Sequence, residues 1–214
     1  MMDSLGTSVV STGPILNLPL SQNSVPQIPF PKIPLNACAG TACMEGEGIT
    51  TRFNHIDPHP DCGKYCKVLM VHTHEAEYRK NMGSCCEKRN KCLNLPPPAG
   101  MDQARWRNIC QKSYNVWALA NALDFEQRAA VETCKDAKRF KKNCGSCGGP
   151  GDAWWECCET AKREEPLACG AQDPNAPIEC CPFKDDGMVD IPCFEKNEKK
   201  YKQQGNPYPT GPTR

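Results

Sequence analysis

The sequence predicts a small, irregular, mainly α-helical protein with little β-structure. It would have a disulfide-rich helical hairpin core, an extended N-terminal arm and a loop-rich C-terminal part. Three observations lead to this fold class: 17 of the 214 residues are cysteine, only 7% are aromatic, and residues 101–144 contain neither glycine nor proline. A chain so poor in large apolar side chains buries a thin core and usually depends on cross-links or metals. Cysteine is therefore expected to hold the helices together.

Residues 1–36, here called the N-terminal arm, carry two charges and many prolines. The apolar-proline steps of LPLSQNSVPQIPFPKIPL favour extended, polyproline-like backbone. A disordered tail is usually charged, whereas this arm carries a series of large apolar side chains: Ile15, Leu16, Leu18, Leu20, Ile28, Phe30 and Ile33. We expect it to lie extended across its own domain or a neighbouring subunit.

Residues 37–100 form a segment rich in cysteine and histidine that ends in the stiff sequence LNLPPPAG. Within it, KVLMVH (67–72) is predicted to be a short strand, because it is rich in β-branched and apolar residues. The next stretch, 74–93, has the composition of a helix.

Residues 101–194 form a third segment, helical and rich in cysteine, and residues 101–144 are its strongest helical stretch. Asp102 is predicted to cap the helix start, and basic residues crowd its far end, where the helix dipole favours them. One face is marked by residues at spacings of three or four: Trp106, Cys110, Ser113, Trp117, Ala120 and Leu123.

This helical stretch is predicted to turn near residues 121–124. Asn121 and Asp124 are poor helix-interior residues, and Asp124 with Gln127 resembles a capping box. On one continuous helix, Cys110 and Cys134 would lie about 36 Å apart. A hairpin would place them side by side at bridging distance, so we predict a hairpin and pairing of these two cysteines.

After Cys144, the loop GSCGGPGD precedes a short helix predicted from Asp152 through Ala161. The sequence from residue 164 to Cys193 has proline or glycine every few residues and is predicted to be loop-rich. Residues 195–214 are charged and then rich in proline and glycine, so they are predicted to form a mobile tail.

The cysteines favour a disulfide framework over metal sites or free thiols. Three vicinal pairs occur: Cys85 with Cys86, Cys157 with Cys158, and Cys180 with Cys181. Vicinal side chains diverge, so each is expected to bridge to a different element. The only C-x2-C sequence, Cys144-Gly-Ser-Cys147, ends a basic helix and enters GGPG, which is the wrong context for a redox dithiol that should open a helix.

All four histidines fall within residues 55–74. If residues 67–72 form a strand, His72 and His74 at its end would share one face and could bind a metal together with His55 or His59. The alternative is a proline-locked turn with solvated imidazoles, leading into a strand. No metal is favoured, and zinc is the cofactor of the alternative hypothesis.

Charge and hydropathy exclude several classes of function. The balance of 26 basic against 25 acidic residues gives a net charge of +1, so binding to nucleic acid is not expected. No run approaches the roughly 18 apolar residues of a membrane span, and the N-terminus lacks the basic start of a signal peptide. The cysteine content nevertheless favours an oxidising environment, outside the cell or in a particle.

The sequence therefore favours a non-catalytic, disulfide-stabilised structural or interaction protein over an enzyme. Its partners would be other protein subunits of a larger assembly, bound through the N-terminal arm. Two alternatives stay open: an exported effector or toxin-like small enzyme with a site around His72 and His74, and a zinc-binding interaction module.

Overall fold

The computed structural model describes residues 37–54, 62, 65–144, 149, 154–170 and 173–204. The N-terminal arm, His55, His59, Cys147 and residues 205–214 lie outside these ranges, so the predictions that fall on them stay predictions. In the described residues, five helices follow one two-stranded sheet, and eight disulfides join them. The predicted fold class, mainly helical and disulfide-rich with little β-structure, is confirmed.

The sheet is a β-hairpin that the sequence did not reveal. Strands β1 (Ala39–Met44) and β2 (Gly48–Phe53) pair antiparallel, with Ala39 opposite Phe53 and Met44 opposite Gly48. The connecting turn uses positive φ at Gly46 and Gly48, a backbone region that glycine enters without steric cost. One face of the hairpin packs on the first helix.

Helix α1 spans Tyr65–Asn94, so the strand predicted for residues 67–72 is wrong. Its buried residues recur at helical spacing along the whole length: Cys66, Met70, His74, Tyr78, Met82, Cys85, Arg89 and Cys92. Val68 and Val71 favour strands only locally, and this continuous buried stripe overrides that preference. The helix predicted for residues 74–93 is confirmed.

Helix α2 (Gln103–Ala120) begins as predicted, since Asp102 is its N-cap and accepts a hydrogen bond from the backbone N–H of Arg105 at 2.8 Å. Trp106, Cys110, Ser113, Trp117 and Ala120 of the predicted face are buried. Leu123, also assigned to that face, is 62% exposed, because the helix is interrupted at Asn121 and its periodicity does not carry across.

The predicted break is confirmed at Asn121, where α3 (Ala122–Lys142) begins. The Asp124–Gln127 capping box is not formed: Asn121 is the N-cap residue and Asp124 instead pairs with Lys200 at 2.5 Å. Helices α2 and α3 make little contact with each other, since α2 packs on α1 and α5 while α3 packs on α1 and α4.

Helix α4 (Trp155–Gly170) is longer than the predicted 152–161 and contains Pro166. Packing holds the helix past this proline, because Glu164 pairs with Lys67 at 2.8 Å and Cys169 is bonded to Cys134. The expected loop region is confirmed for residues 173–190. Helix α5 (Ile191–Gln203) then covers the first part of the predicted mobile tail, which is helical through Gln203.

The disulfides pair differently from the one pairing predicted. Cys110 is bonded to Cys92 and Cys134 to Cys169, because α2 and α3 face different neighbours. The rule for vicinal cysteines is confirmed, since each member of a pair reaches a different element. Five bonds involve these six cysteines: Cys85–Cys181, Cys86–Cys43, Cys157–Cys66, Cys158–Cys144 and Cys180–Cys193.

The core is divided between two clusters. The larger lies between α1, α2 and α3 around Trp117, whose ring centroid is 5.5 Å from Tyr114 and 5.3 Å from Phe125. The smaller lies between α1, α3 and α4 around Met70 and Phe140. Half-cystines belong to both clusters, so the cross-links also supply core volume that this sequence lacks in aliphatic residues.

Candidate functional site

The two described histidines lie on opposite sides of α1. His72 is exposed and its ring lies 4.5 Å from that of Phe53, whereas His74 is only 6% exposed. Residues two apart on a helix do not face each other. His72 and His74 therefore do not share one face, which the predicted strand would have required.

No group of three or more histidine, cysteine or acidic side chains in the described ranges could hold a metal ion. Cys62, which lies close to the histidines in the sequence, is bonded to Cys38. The proposed set of His72, His74, His55 and His59 includes two residues outside the described ranges, so metal binding there stays a prediction.

A buried polar cluster joins α1, α3 and the β-hairpin, and it is called the His74 cluster here. Its members are His74, Glu75, Tyr78, Glu126, Thr133, Thr41 and Thr51. Of these residues, the sequence singles out only His74 as a candidate site residue. With residues 67–94 taken as one helix, the spacing of four between His74 and Tyr78 would have indicated a shared buried face.

His74 faces hydrogen-bond acceptors on both ring nitrogens. Its Nε2 lies 3.5 Å from Oε2 of Glu126, and its Nδ1 lies 3.4 Å from the Thr133 hydroxyl. The Thr133 hydroxyl donates its own proton to the carbonyl of Ala129, so its oxygen is free to accept. Both ring nitrogens of His74 then act as N–H donors, which is the state of a protonated imidazolium.

The electrostatics agree with this protonation state. Burial by itself lowers the pKa of His74, but the hydrogen bond and charge of Glu126, together with the charge of Glu75, outweigh it and raise the pKa above its ordinary value. Tyr78 fixes Glu126 in place by donating its hydroxyl proton to the same Oε2 at 2.8 Å.

Glu75 connects the cluster to the hairpin. The Thr41 hydroxyl donates to its Oε2 at 2.5 Å and lies 2.6 Å from the Thr51 hydroxyl, which is in turn 3.4 Å from a guanidinium nitrogen of Arg79. Burial raises the pKa of Glu75, and the Thr41 hydrogen bond and His74 oppose that effect only in part. The cluster therefore carries a coupled pair of buried titratable groups.

A second buried polar group, Asn121, holds α2, α3 and α5 together. Its side-chain amide donates to the carbonyl of Trp117 at 2.8 Å and to Oδ1 of Asn197 at 3.2 Å. Its Oδ1 accepts from the backbone of Glu179 at 2.8 Å and from Lys200 at 3.1 Å. Every polar atom of this side chain is used in structure.

Comparison with known proteins gives no family: the chain matches no protein-family model, no curated protein and no solved structure. None of the helices in the described ranges combines the length and apolar character needed to cross a membrane. Function must therefore be argued from the residues of this chain.

Proposed function

We propose that the protein is a non-catalytic, disulfide-stabilised interaction protein that works as a subunit of a larger assembly. The observation that carries the proposal is that each of the five helices in the described residues holds at least one half-cystine. Disulfides persist in oxidising environments, outside the reducing cytosol.

The way in which the polar groups are used also supports a contact function. The His74 cluster and Asn121 tie helices to one another, and their donors and acceptors are satisfied within the fold. A frame with its elements cross-linked at this density presents a fixed surface, which lowers the entropic cost of binding a partner.

The N-terminal arm supplies the proposed contact to other subunits. Its apolar side chains are too many for a solvated tail, and its prolines limit the freedom that the arm would lose on docking as an extended segment. The partner would be a protein surface with pockets for alternate apolar side chains.

The arm can be tested by replacing Leu16, Leu18 and Leu20 with serine in the full chain. A matched control replaces the neighbouring polar residues Ser21, Gln22 and Asn23 with alanine. The assembly isolated from the natural source should protect the arm from limited proteolysis, and the leucine variant should lose both that protection and assembly. Cleavage of the arm at equal rates in the free and assembled protein would contradict the proposal.

An exported effector with a histidine-based site is the second candidate. The raised pKa of His74 beside Glu126 favours it, because perturbed pKa values are common at active sites. The burial of His74 opposes it, since a substrate would have to reach a side chain that is 6% exposed. His74→Gln should abolish effector activity under this candidate and leave assembly intact under the first.

The zinc-binding module differs from both in its metal content. Metal analysis of the purified oxidised protein should find about one zinc per chain if His72 and His74 bind it with His55 or His59. The favoured proposal expects no stoichiometric zinc, and equal metal content in a His55→Ala, His59→Ala double variant would remove the zinc proposal.

A further inference from the structure

Arg89 is a buried cation in direct contact with a disulfide. It lies on α1 with 2% of its surface exposed, and its Nη1 donates to the carbonyl of Cys43 at 2.9 Å and contacts the Cys43 Sγ at 2.8 Å. Cys43 is bonded to Cys86. One sulfur of this disulfide is therefore in contact with a guanidinium group, which remains charged in proteins.

The charge of Arg89 is poorly compensated. Glu45 acts on it through space, but the Glu45 carboxylate is bound by Arg107. The Arg89 Nε has no hydrogen-bond partner in the part of the chain that the structure describes, and neither has the hydroxyl of Tyr114, whose ring centroid lies 5.5 Å from the guanidinium carbon. A buried cation without a bound anion is costly, and such sites need an explanation.

We propose that Cys43–Cys86 is a redox-reactive disulfide, reducible by an external dithiol, in which Arg89 is the counter-charge for the Cys43 thiolate. The disulfide is uncharged, so oxidation leaves the guanidinium uncompensated and reduction supplies the missing anion. A thiolate beside an arginine has a lowered pKa and is a better leaving group.

The exchange takes two balanced steps. One thiolate of the dithiol attacks the Sγ of Cys43, because Cys43 is half-buried whereas Cys86 is buried. This attack breaks the Cys43–Cys86 bond, and the Cys86 sulfur leaves and takes up one proton. The second thiol of the reagent, losing its proton to solvent, then attacks the reagent sulfur of the mixed disulfide. That attack releases Cys43 as a thiolate and leaves the reagent as a disulfide, so two electrons pass from dithiol to protein.

Reduction would change the attachment of the β-hairpin. Cys43–Cys86 fastens the end of β1 to α1, while Cys38–Cys62 holds the other end of the hairpin. The reduced hairpin keeps one covalent anchor and gains freedom at its turn. The site would thus expose or reposition residues 44–48 in response to a dithiol.

The first test compares two disulfides of matched exposure. Cys85–Cys181 starts from the adjacent residue of α1, also joins a buried to a half-buried cysteine, and has no arginine contact among the described residues. The native protein is equilibrated in dithiothreitol redox buffers, quenched with acid, alkylated and mapped by mass spectrometry. Cys43–Cys86 should reach half-reduction at a dithiol-to-disulfide ratio about tenfold or more below that of Cys85–Cys181. Equal ratios, or the reverse order, would overturn the proposal.

Charge variants give a second test with opposite signs. Arg89→Met should make Cys43–Cys86 about tenfold harder to reduce. Glu45→Gln, at a partly exposed site, should make it about threefold easier by removing the opposing charge. Lys88→Met removes a neighbouring charge of α1 and should change nothing. If Arg89→Met does not fold, Glu45→Gln decides: no change, or harder reduction, would refute the role of local charge.

Discussion

The Cys66–Cys157 bridge should contribute less to stability than its sequence separation suggests. It closes a loop of 91 residues between α1 and α4. In the chain-entropy relation, such a loop corresponds to about 4.6 kcal/mol when it is the only cross-link. The other disulfides already connect Cys66 to Cys157 by a path along the chain that is roughly one third as long. This shorter path lowers the expected contribution of the bridge to the free energy of unfolding to about 3.7 kcal/mol. That route passes through Cys38–Cys62, Cys43–Cys86, Cys85–Cys181, Cys134–Cys169 and Cys144–Cys158.

The test is guanidinium-induced unfolding of the oxidised double variant Cys66→Ala, Cys157→Ala. The control variant, Cys180→Ala with Cys193→Ala, removes a bridge whose loop of 13 residues has no such shortcut. The control should lose about 2.9 kcal/mol, so the two losses should lie within about 1 kcal/mol of each other. A loss about 1.7 kcal/mol or more above that of the control, which is the difference expected if the 91-residue loop were the only cross-link, would refute the reasoning from network entropy, as would a loss below about 1 kcal/mol.

Three further predictions concern the buried polar groups. The pKa values of His74 and Glu75 are raised in the folded state. Their contribution to the free energy of unfolding is therefore complete below their ordinary pKa values and is lost as the pH rises through their folded pKa values. Urea unfolding at pH 4–9 should show this loss of stability, and His74→Gln should reduce the loss at the upper end of this pH range. Thr41→Val should cost about 1–3 kcal/mol by leaving the buried Glu75 carboxyl without its donor, whereas Thr50→Val should cost under about 0.5 kcal/mol in the same urea assay. Asn121→Ala should cost about 2–4 kcal/mol in thermal or urea unfolding, because it leaves several buried hydrogen-bond partners unpaired. The control Asn108→Ala, at an exposed position, should be nearly neutral. Equal losses of stability at the two asparagines would contradict the role of Asn121 in holding α2, α3 and α5 together.

The sequence was most informative where one local rule acts alone. The absence of glycine and proline over residues 101–144 predicted the helices, and Asp102 marked where they begin. Vicinal cysteines cannot both reach one partner, so their divergence followed from covalent geometry. These features need no knowledge of distant contacts.

Prediction was weakest where distant contacts override local preference. Residues 67–72 look like a strand until their buried stripe is placed against α3 and α4, and Pro166 looks like a helix end until its neighbours pair with Lys67 and Cys134. The His74 cluster shows the same limit, because Glu126 lies 52 positions from His74 and its role appears only after folding. Disulfide pairing is also a tertiary property that cysteine spacing leaves open.

The most direct test of the cross-linked framework is peptide mapping of the native protein without reduction. Digestion should release one peptide set linking Cys85 to Cys181 and Cys86 to Cys43, and another linking Cys157 to Cys66 and Cys158 to Cys144. Since the vicinal residues share peptides, fragmentation spectra assign each sulfur to its partner. Bonds between the vicinal residues themselves, or free thiols at these positions in the native protein, would contradict the account.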